Sequence, residues 1–301
     1  MTYNSLSQDT EIKLINLLSP YFANRNFVDI GAEKGAFALA MLELGMSGVL
    51  FEPMSRHFPI LQKLVGRYAD ATLHNCAITH IDTKQRFNVA TDADGLELDY
   101  YHSLQKADAP GIFSHSKSFE VECRSLQSLA EHGEIPSNLG VLKTDTEGND
   151  LNVLRGLGIL RPEIIICEYF TKGLYGGWPE AAPELIIEHM RGLGYRTFLA
   201  TKRIDDLEFI GIGMALYHEK QWGNLFFFRD DFYEKASSVI AECIRDNEEE
   251  LSKKFHTMNT ELEEKEKVIQ QLLLERQAIT NQNVQRGQSW LARIFGSDRH
   301  N

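Results

Sequence analysis

Carboxylates close four apolar runs of this chain. Phe27-Val28-Asp29-Ile30 carries Asp29, and Val49-Leu50-Phe51 runs into Glu52. Val141-Leu142-Lys143-Thr144 runs into Asp145 and Glu147, and Ile164-Ile165-Ile166-Cys167 into Glu168. An acid at a strand end can hold a cation, accept hydrogen bonds from a diol, or take a proton from a hydroxyl. Any one of them would pass as a solvated strand end. Four such runs, apolar enough for strands buried on both faces of a parallel sheet, point to one sheet edge lined with carboxylates.

The first run ends in a glycine turn, Gly31-Ala32-Glu33-Lys34-Gly35, and a helix-like segment follows, Ala36 to Leu44. A strand, a glycine turn and a helix N-terminus make a nucleotide-type ligand site. A dinucleotide site wants glycine at the middle position, against the pyrophosphate. Here that position is Glu33, which would repel a pyrophosphate, so NAD and FAD are disfavoured. A ligand without phosphate and with a positive centre suits Asp29 and Glu33 better, and S-adenosylmethionine is such a ligand. Glu52, about 20 residues beyond the turn, stands where an acid accepts hydrogen bonds from a ribose diol. Asn75, in the third expected strand, completes an expected cofactor-binding set of Asp29, Gly31, Glu33, Gly35, Glu52 and Asp145.

The segments FVDIGAEKGAFA, VLFEP, LKTDTEGNDLNVLRG and RPEIIICE resemble successive signatures of the FkbM-type S-adenosylmethionine-dependent methyltransferases, over roughly residues 25–230. The Lys-x-Asp-x-Glu-Gly stretch at 143–148, followed by the helix end Leu154-Arg155-Gly156, is the most specific of them. The chain departs from the family at Glu33, where Asn is frequent, and at Leu126-Gln127, where Leu-Asp is frequent. The resemblance implies a Rossmann-like class I methyltransferase: a mostly parallel seven-stranded sheet with helices on both faces. Its antiparallel seventh strand is expected at Leu225 to Arg229. The resemblance also implies O-methylation of a sugar, glycan or secondary-metabolite hydroxyl. N-methylation and a catalytically silent interaction protein are the alternatives.

Methyl transfer is an in-line displacement, so the protein must align three atoms and exclude water. A hydroxyl acceptor must also lose its proton. Asp145 and Glu147, at the end of the fourth parallel strand, are the first candidates for that base, and Glu168 is next. His102 and His115 are the alternatives, as side chains that titrate near neutrality. The sequence offers no complete metal-ligand set.

The elements that must position these residues can be read in outline. Amphipathic helix 10–22 precedes the first strand, and strands near 48–52 and 71–78 follow, the latter extended by a hairpin at 87–90. A polar, turn-rich stretch spans 91–118, and a short strand spans 119–123. Helices and strands alternate again from there, with a turn at Gly211 to Gly213. Beyond Asp231, Leu251, Phe255, Met258, Leu262, Ile269, Leu272 and Ile279 recur at steps of three and four, with Lys265 and Arg276 at two further seam positions. That is a coiled-coil pattern. The expected organisation is a catalytic domain over 1–231, a self-associating coiled-coil helix over 232–285, and an amphipathic or disordered tail over 286–301. A net charge of −12 argues against nucleic-acid partners. No apolar run reaches the roughly 18 residues of a membrane span. With no signal-peptide pattern and four scattered cysteines, a cytoplasmic protein with reduced thiols is expected.

Overall fold

The structure is a computed structural model and describes residues 6–171, 178–204, 207–213 and 221–295. Helix α1 (Leu6–Leu18) precedes strand β1 (Asn26–Ile30); α2 (Ala36–Glu43), β2 (Ser47–Phe51), α3 (Phe58–Val65) and β3 (Ala71–His74) follow. Four strands then come without helices: β4 (Ala77–Ile78), β5 (Thr83–Thr91), β6 (Asp108–Ala109) and β7 (Phe113–Arg124). Alternation resumes with α4 (Leu126–Glu131), β8 (Val141–Thr144), α5 (Asp150–Arg155), β9 (Ile164–Phe170) and α6 (Pro183–Gly192). The chain continues through β10 (Thr197–Ile204), β11 (Leu207–Ile212), β12 (Trp222–Phe228) and α7 (Asp230–Phe295).

The main sheet has eight strands in the order β11-β10-β12-β9-β8-β1-β2-β3. Strands β3, β2, β1, β8 and β9 run parallel, and β12 then pairs antiparallel with β9 and with β10. The antiparallel strand expected at Leu225–Arg229 is β12, which already begins at Trp222. The sheet is wider than the seven strands expected. An eighth strand, β11, ends within the turn expected at Gly211 to Gly213 and pairs antiparallel with β10. Its alternating run, Leu207 to Ile210, is too short to stand out from the polar residues around it.

Side-chain alternation along the strands builds two cores. Phe27, Leu50, Val141, Ile166 and Phe226 face one side, where they pack with Leu14 and Ile15 of α1, Phe37 and Met41 of α2, and Phe232, Ala236 and Ile240 of α7. Val28, Val49, Leu142, Ile165 and Phe227 face the other, against Leu129 of α4, Leu151 and Leu154 of α5, and Ile186 and Met190 of α6. The first compact unit therefore runs to Asn247, past the boundary expected at Asp231. A truncation at Asp231 would strip Phe232, Ala236 and Ile240 from the core. One at Asn247 spares them. Glu248–Asn301 forms the second unit, and α7 stays helical to Phe295. Of the expected tail at 286–301, residues 296–301 lie outside the described residues.

A separate small sheet, β4-β7-β5 with β6 on β7, stands where a hairpin extension of the third strand was expected. The expected strand 71–78 splits between the two sheets: β3 ends at His74, and Ala77 pairs with Cys123 of β7. The polar stretch 91–118 also hides the first half of β7, in which Ser114, Ser116, Lys117 and Ser118 dilute the apolar alternation. The connection from Asp92 to Ala107 returns over the C-terminal edge of the main sheet. There Ser103 Oγ donates to the Thr146 carbonyl (3.3 Å), and Gln105 Nε2 donates to Asn149 Oδ1 (3.3 Å).

Candidate active site at the C-terminal strand edge

Side chains two residues apart on a strand share a face. Asp29 therefore follows Phe27, Lys143 follows Val141, and Glu168 follows Ile166 onto the α1–α2 side of the sheet. The register sets Asp29 beside Lys143 and Thr144 beside Cys167, which brings Asp145 level with Glu168. The acids read from sequence thus converge on one edge.

The turn after β1 is drawn tight against its neighbours. The N–H groups of Gly31 and Ala32 both donate to the Phe51 carbonyl, at 3.0 and 3.1 Å. Gly31 has φ 76°, and a Cβ there would stand 2.0 Å from the Asp145 carbonyl oxygen. Its glycine is thus required by the crossing of two strand ends as well as by the expected approach of a ligand. Gly31→Ala is expected to cost more than the roughly 1–2 kcal/mol of a left-handed L-residue, because that backbone oxygen must also move. Urea denaturation measures this, and a variant as stable as the parent would refute the crossing argument. Gly35, with φ 84°, is the N-cap of α2.

Glu52 is buried and anchored. Its Oε2 accepts from the Glu33 N–H (2.8 Å) and its Oε1 from the Met54 N–H (2.7 Å). Each carboxylate oxygen can accept a second bond, so room for a diol remains. Asn75 acts on the site through Glu52: its Nδ2 donates to the Glu52 carbonyl at 2.7 Å. His57 Nδ1 lies 3.7 Å from Glu52 Oε1. Glu33, which holds Glu52 by its backbone, has φ 50°. A left-handed position favours Asn, the residue frequent there in the FkbM-type sequences.

At the centre is a buried lysine that sequence reasoning left outside the candidate set. Lys143 Nζ stands 3.0 Å from Asp145 Oδ2 and 3.9 Å from Asp29 Oδ1. It also lies 5.7 Å from the centre of the Phe37 ring. Burial opposes its charge, yet Asp145, Asp29 and Glu11 together outweigh burial and raise its pKa. Neither Asp29 oxygen has a hydrogen-bond partner. Burial raises the Asp29 pKa to about 6, Lys143 pulls it down, and Asp145 and Glu52 push it up. Beyond that ion pair at 3.9 Å, the protein leaves the hydrogen-bonding capacity of this buried carboxylate unfilled.

Glu147 has φ 52° and takes the Tyr101 N–H on Oε1 at 3.1 Å; Tyr101 itself has φ 69°. Burial first, and Asp145 second, lift the Glu147 pKa to about 8. Glu168 is also raised well above the ordinary carboxylate range, by burial and then by Asp145 and Glu147, and its Oε2 has no hydrogen-bond partner. Asp150 is different. Thr144 Oγ1 donates to its Oδ1 (2.8 Å) and Thr146 Oγ1 to its Oδ2 (3.0 Å), so it braces the turn carrying Asp145 and Glu147. Glu33, Tyr101 and Glu147 are the non-glycine residues with positive φ among those described, and all three belong to this edge. Strain gathered at one place marks a functional site.

The histidines do not supply a base. His102 Nδ1 accepts the Ala90 N–H (3.0 Å), so Nε2 carries the hydrogen and donates to the Leu98 carbonyl (2.8 Å). Burial and the neighbouring Arg56 lower its pKa to about 4. His115 is held the same way, between the Ala107 N–H (3.0 Å) and the Tyr101 carbonyl (2.6 Å). Both fasten the connection that carries Tyr101, and neither keeps a lone pair for a substrate proton. Among the described residues no group of His, Cys, Asp or Glu has the arrangement of a metal site, and no helix is long and apolar enough to cross a membrane.

Residues 29–197 match the sequence family described as the methyltransferase FkbM domain. No match was found among curated proteins. Among solved structures the chain is similar to the N-methyltransferase NodS from Bradyrhizobium japonicum WM9, at 10% identity over 76% of this chain and 99% of that one, with a TM-score of 0.40. It is also similar to precorrin-6y C5,15-methyltransferase from Geobacter metallireducens GS-15, at 9% identity over 76% and 94%, with a TM-score of 0.38. An rRNA methylase from Streptococcus thermophilus shares 8% identity over 72% and 94%, with a TM-score of 0.37. Likeness at this level carries no acceptor with it.

Proposed function

This chain belongs to the FkbM methyltransferase family and takes S-adenosylmethionine as its methyl donor, and on that footing we propose that it O-methylates a neutral hydroxyl acceptor, with Glu147 as the base. A sugar, a glycan or a secondary metabolite fits that description. The donor, when bound, supplies an electrophilic methyl group on a positively charged sulfur. The residues fit it: Asp29 offers a buried carboxylate with no hydrogen-bond partner, and Glu52 keeps a free acceptor site on each oxygen for ribose hydroxyls. Asp145, held by Lys143, follows the strand on the other side of β1 from Glu52.

The observation that carries the reading is Glu147, with its pKa near 8 at the end of β8, fixed by the Tyr101 N–H. A base is most effective when its pKa lies near the working pH. Asp145 is a weaker choice, since its Oδ2 is already engaged by Lys143 Nζ at 3.0 Å. The same acids speak against an amine acceptor: an acidic edge raises an amine's pKa and keeps its lone pair protonated. Aromatic side chains stand beside the base, with Tyr101 stacked on Phe113 at 4.8 Å and Phe113 on Trp178 at 5.9 Å. Such faces suit the apolar face of a sugar ring.

Two measurements test this. Methyl transfer from labelled donor to a panel of neutral glycosides and amines should label hydroxyl oxygen; label on nitrogen alone would sink the proposal. Calorimetric titration with S-adenosylhomocysteine should show Glu52→Ala binding at least tenfold more weakly, since charge-assisted hydrogen bonds are worth roughly 1.5–3 kcal/mol each. Unchanged affinity would remove Glu52 from the cofactor site.

A further inference from the structure

We propose that the C-terminal part of α7 pairs with the same segment of a second copy of this chain, parallel and in register, as a two-stranded coiled coil. Within Glu248–Asn301 the seam positions Phe255, Met258, Leu262, Ile269 and Leu272 are all exposed, Leu262 at 56% and Leu272 at 58%. The steps place Phe255, Leu262, Ile269 and Arg276 at heptad position a, and Leu251, Met258, Lys265 and Leu272 at d. Positions g and e then hold Glu261, Val268 and Glu275, and Glu266 and Leu273, respectively. Val268 and Leu273 are exposed as well, at 58% and 47%. An exposed apolar stripe of this length needs a covering surface.

The flanking residues choose the occupant and its direction. In a parallel pair, g of one helix faces the next e of the other, a side chain at d lies beside e of the other helix, and one at a lies beside g. Val268 then seals against Leu273 of the second copy. Lys265 lies beside Glu266 of the second copy, and Arg276 beside Glu275 of the second copy. Each seam cation thus meets an acid from the other chain, and Lys265 also separates Glu261 from the Glu266 it would otherwise repel. In an antiparallel pair, g faces g and e faces e. Pairing Leu262 with Lys265 of the other helix sets Val268 against Glu261, and pairing Leu262 with Leu272 sets Glu266 against Glu266; both open the Val268–Leu273 seal. A different protein would have to supply this same pattern of acids and apolar flanks, which the chain already carries. The layer at Lys265 weakens the pair and fixes its register.

Full-length protein at micromolar concentration should sediment at twice the chain mass, and Leu262→Asp should shift it to the chain mass. Leu262→Cys should form an interchain disulfide under mild oxidation, because in-register parallel pairing sets position 262 opposite itself. The unmutated chain, whose own cysteines include the half-buried Cys243, serves as the control. A monomeric full-length protein overturns the proposal, leaving the stripe for an unlike partner. A dimer whose Leu262→Cys form does not cross-link overturns the parallel register.

Discussion

Glu147→Gln is expected to lower turnover by about 10²–10⁴-fold, the usual contribution of a positioned acid–base group, while S-adenosylhomocysteine affinity changes severalfold at most. Gln keeps the shape and can still accept the Tyr101 N–H, so the loss reports the proton-accepting group rather than the turn. The pH dependence gives a second readout. A base works when deprotonated, and burial has raised this one to about 8, so the parent's turnover should climb with pH and level off above that value. The variant should lose that limb. Stability moves the other way. The folded state holds the Glu147 proton more tightly than the unfolded state, so this group costs stability as pH rises from its ordinary 4.5 towards 8, and Glu147→Gln removes the cost. Parent-like turnover in the variant would pass the role to Glu168 or Asp145.

Lys143→Met is expected to lower folding stability by about 3–5 kcal/mol near neutral pH, since removing one partner of a buried ion pair leaves the other charge uncompensated. The stranded charge is chiefly Asp29, because Asp145 is 34% exposed and water screens it. Met matches the lysine stem in length, so packing against Phe37 survives. Donor binding should fall as well, because Asp145 loses the cation that holds it. The deficit should shrink on acidification. The Asp29 pKa stands at about 6 with Lys143 present and rises further without it, so lowering the pH below that value lets Asp29 take up a proton in the variant. In the parent, the lysine's contribution persists through neutral pH and is lost only as pH climbs past its raised folded pKa. Urea denaturation at about pH 7.5 and about pH 5 checks both halves. Equal stability of variant and parent at both values would mean the three charges do not interact as their distances imply.

Much of the edge was legible because a period of two and a run of apolar residues constrain a strand on both faces. Asp29, Glu52, Asp145 and Glu168 could be placed from that alone. Lys143 obeys the same alternation, two residues after Val141 and on the face of Asp29, yet a lysine between apolar residues reads as a strand end facing water. Only the neighbouring strand shows that two carboxylates surround it. His102 misled in the opposite sense. Its residue type suggests proton transfer, but the partners that occupy its nitrogens, Ala90 and Leu98, come from backbone that no motif marks. The second sheet was read only in pieces, the runs 87–90 and 119–123, because β7 buries residues mostly at its ends and its polar middle reads as loop. The start of α7 was legible to within two residues, but Phe232, Ala236 and Ile240 belong to the core of the first unit, while the heptad pattern begins only at Leu251.

The small sheet between β3 and α4 buries a cluster of Met54, Ala77, Phe87, Val89, Val121 and Cys123, while Ile78 of β4 joins a core of the main sheet and Ala90, Ala109 and Phe113 pack with Phe170 and Trp178. Its long connection reaches the carboxylate edge through a few polar ties, Lys34 to Asp99 (3.4 Å), Tyr101 to Glu147 and Ser103 to Thr146. That connection also fixes Glu147 through the Tyr101 N–H, so a change in its loops reaches the proposed base as well as the surface around it. An insertion tied to the edge in this way links the shape of the acceptor side to the state of the base, so that the two change together.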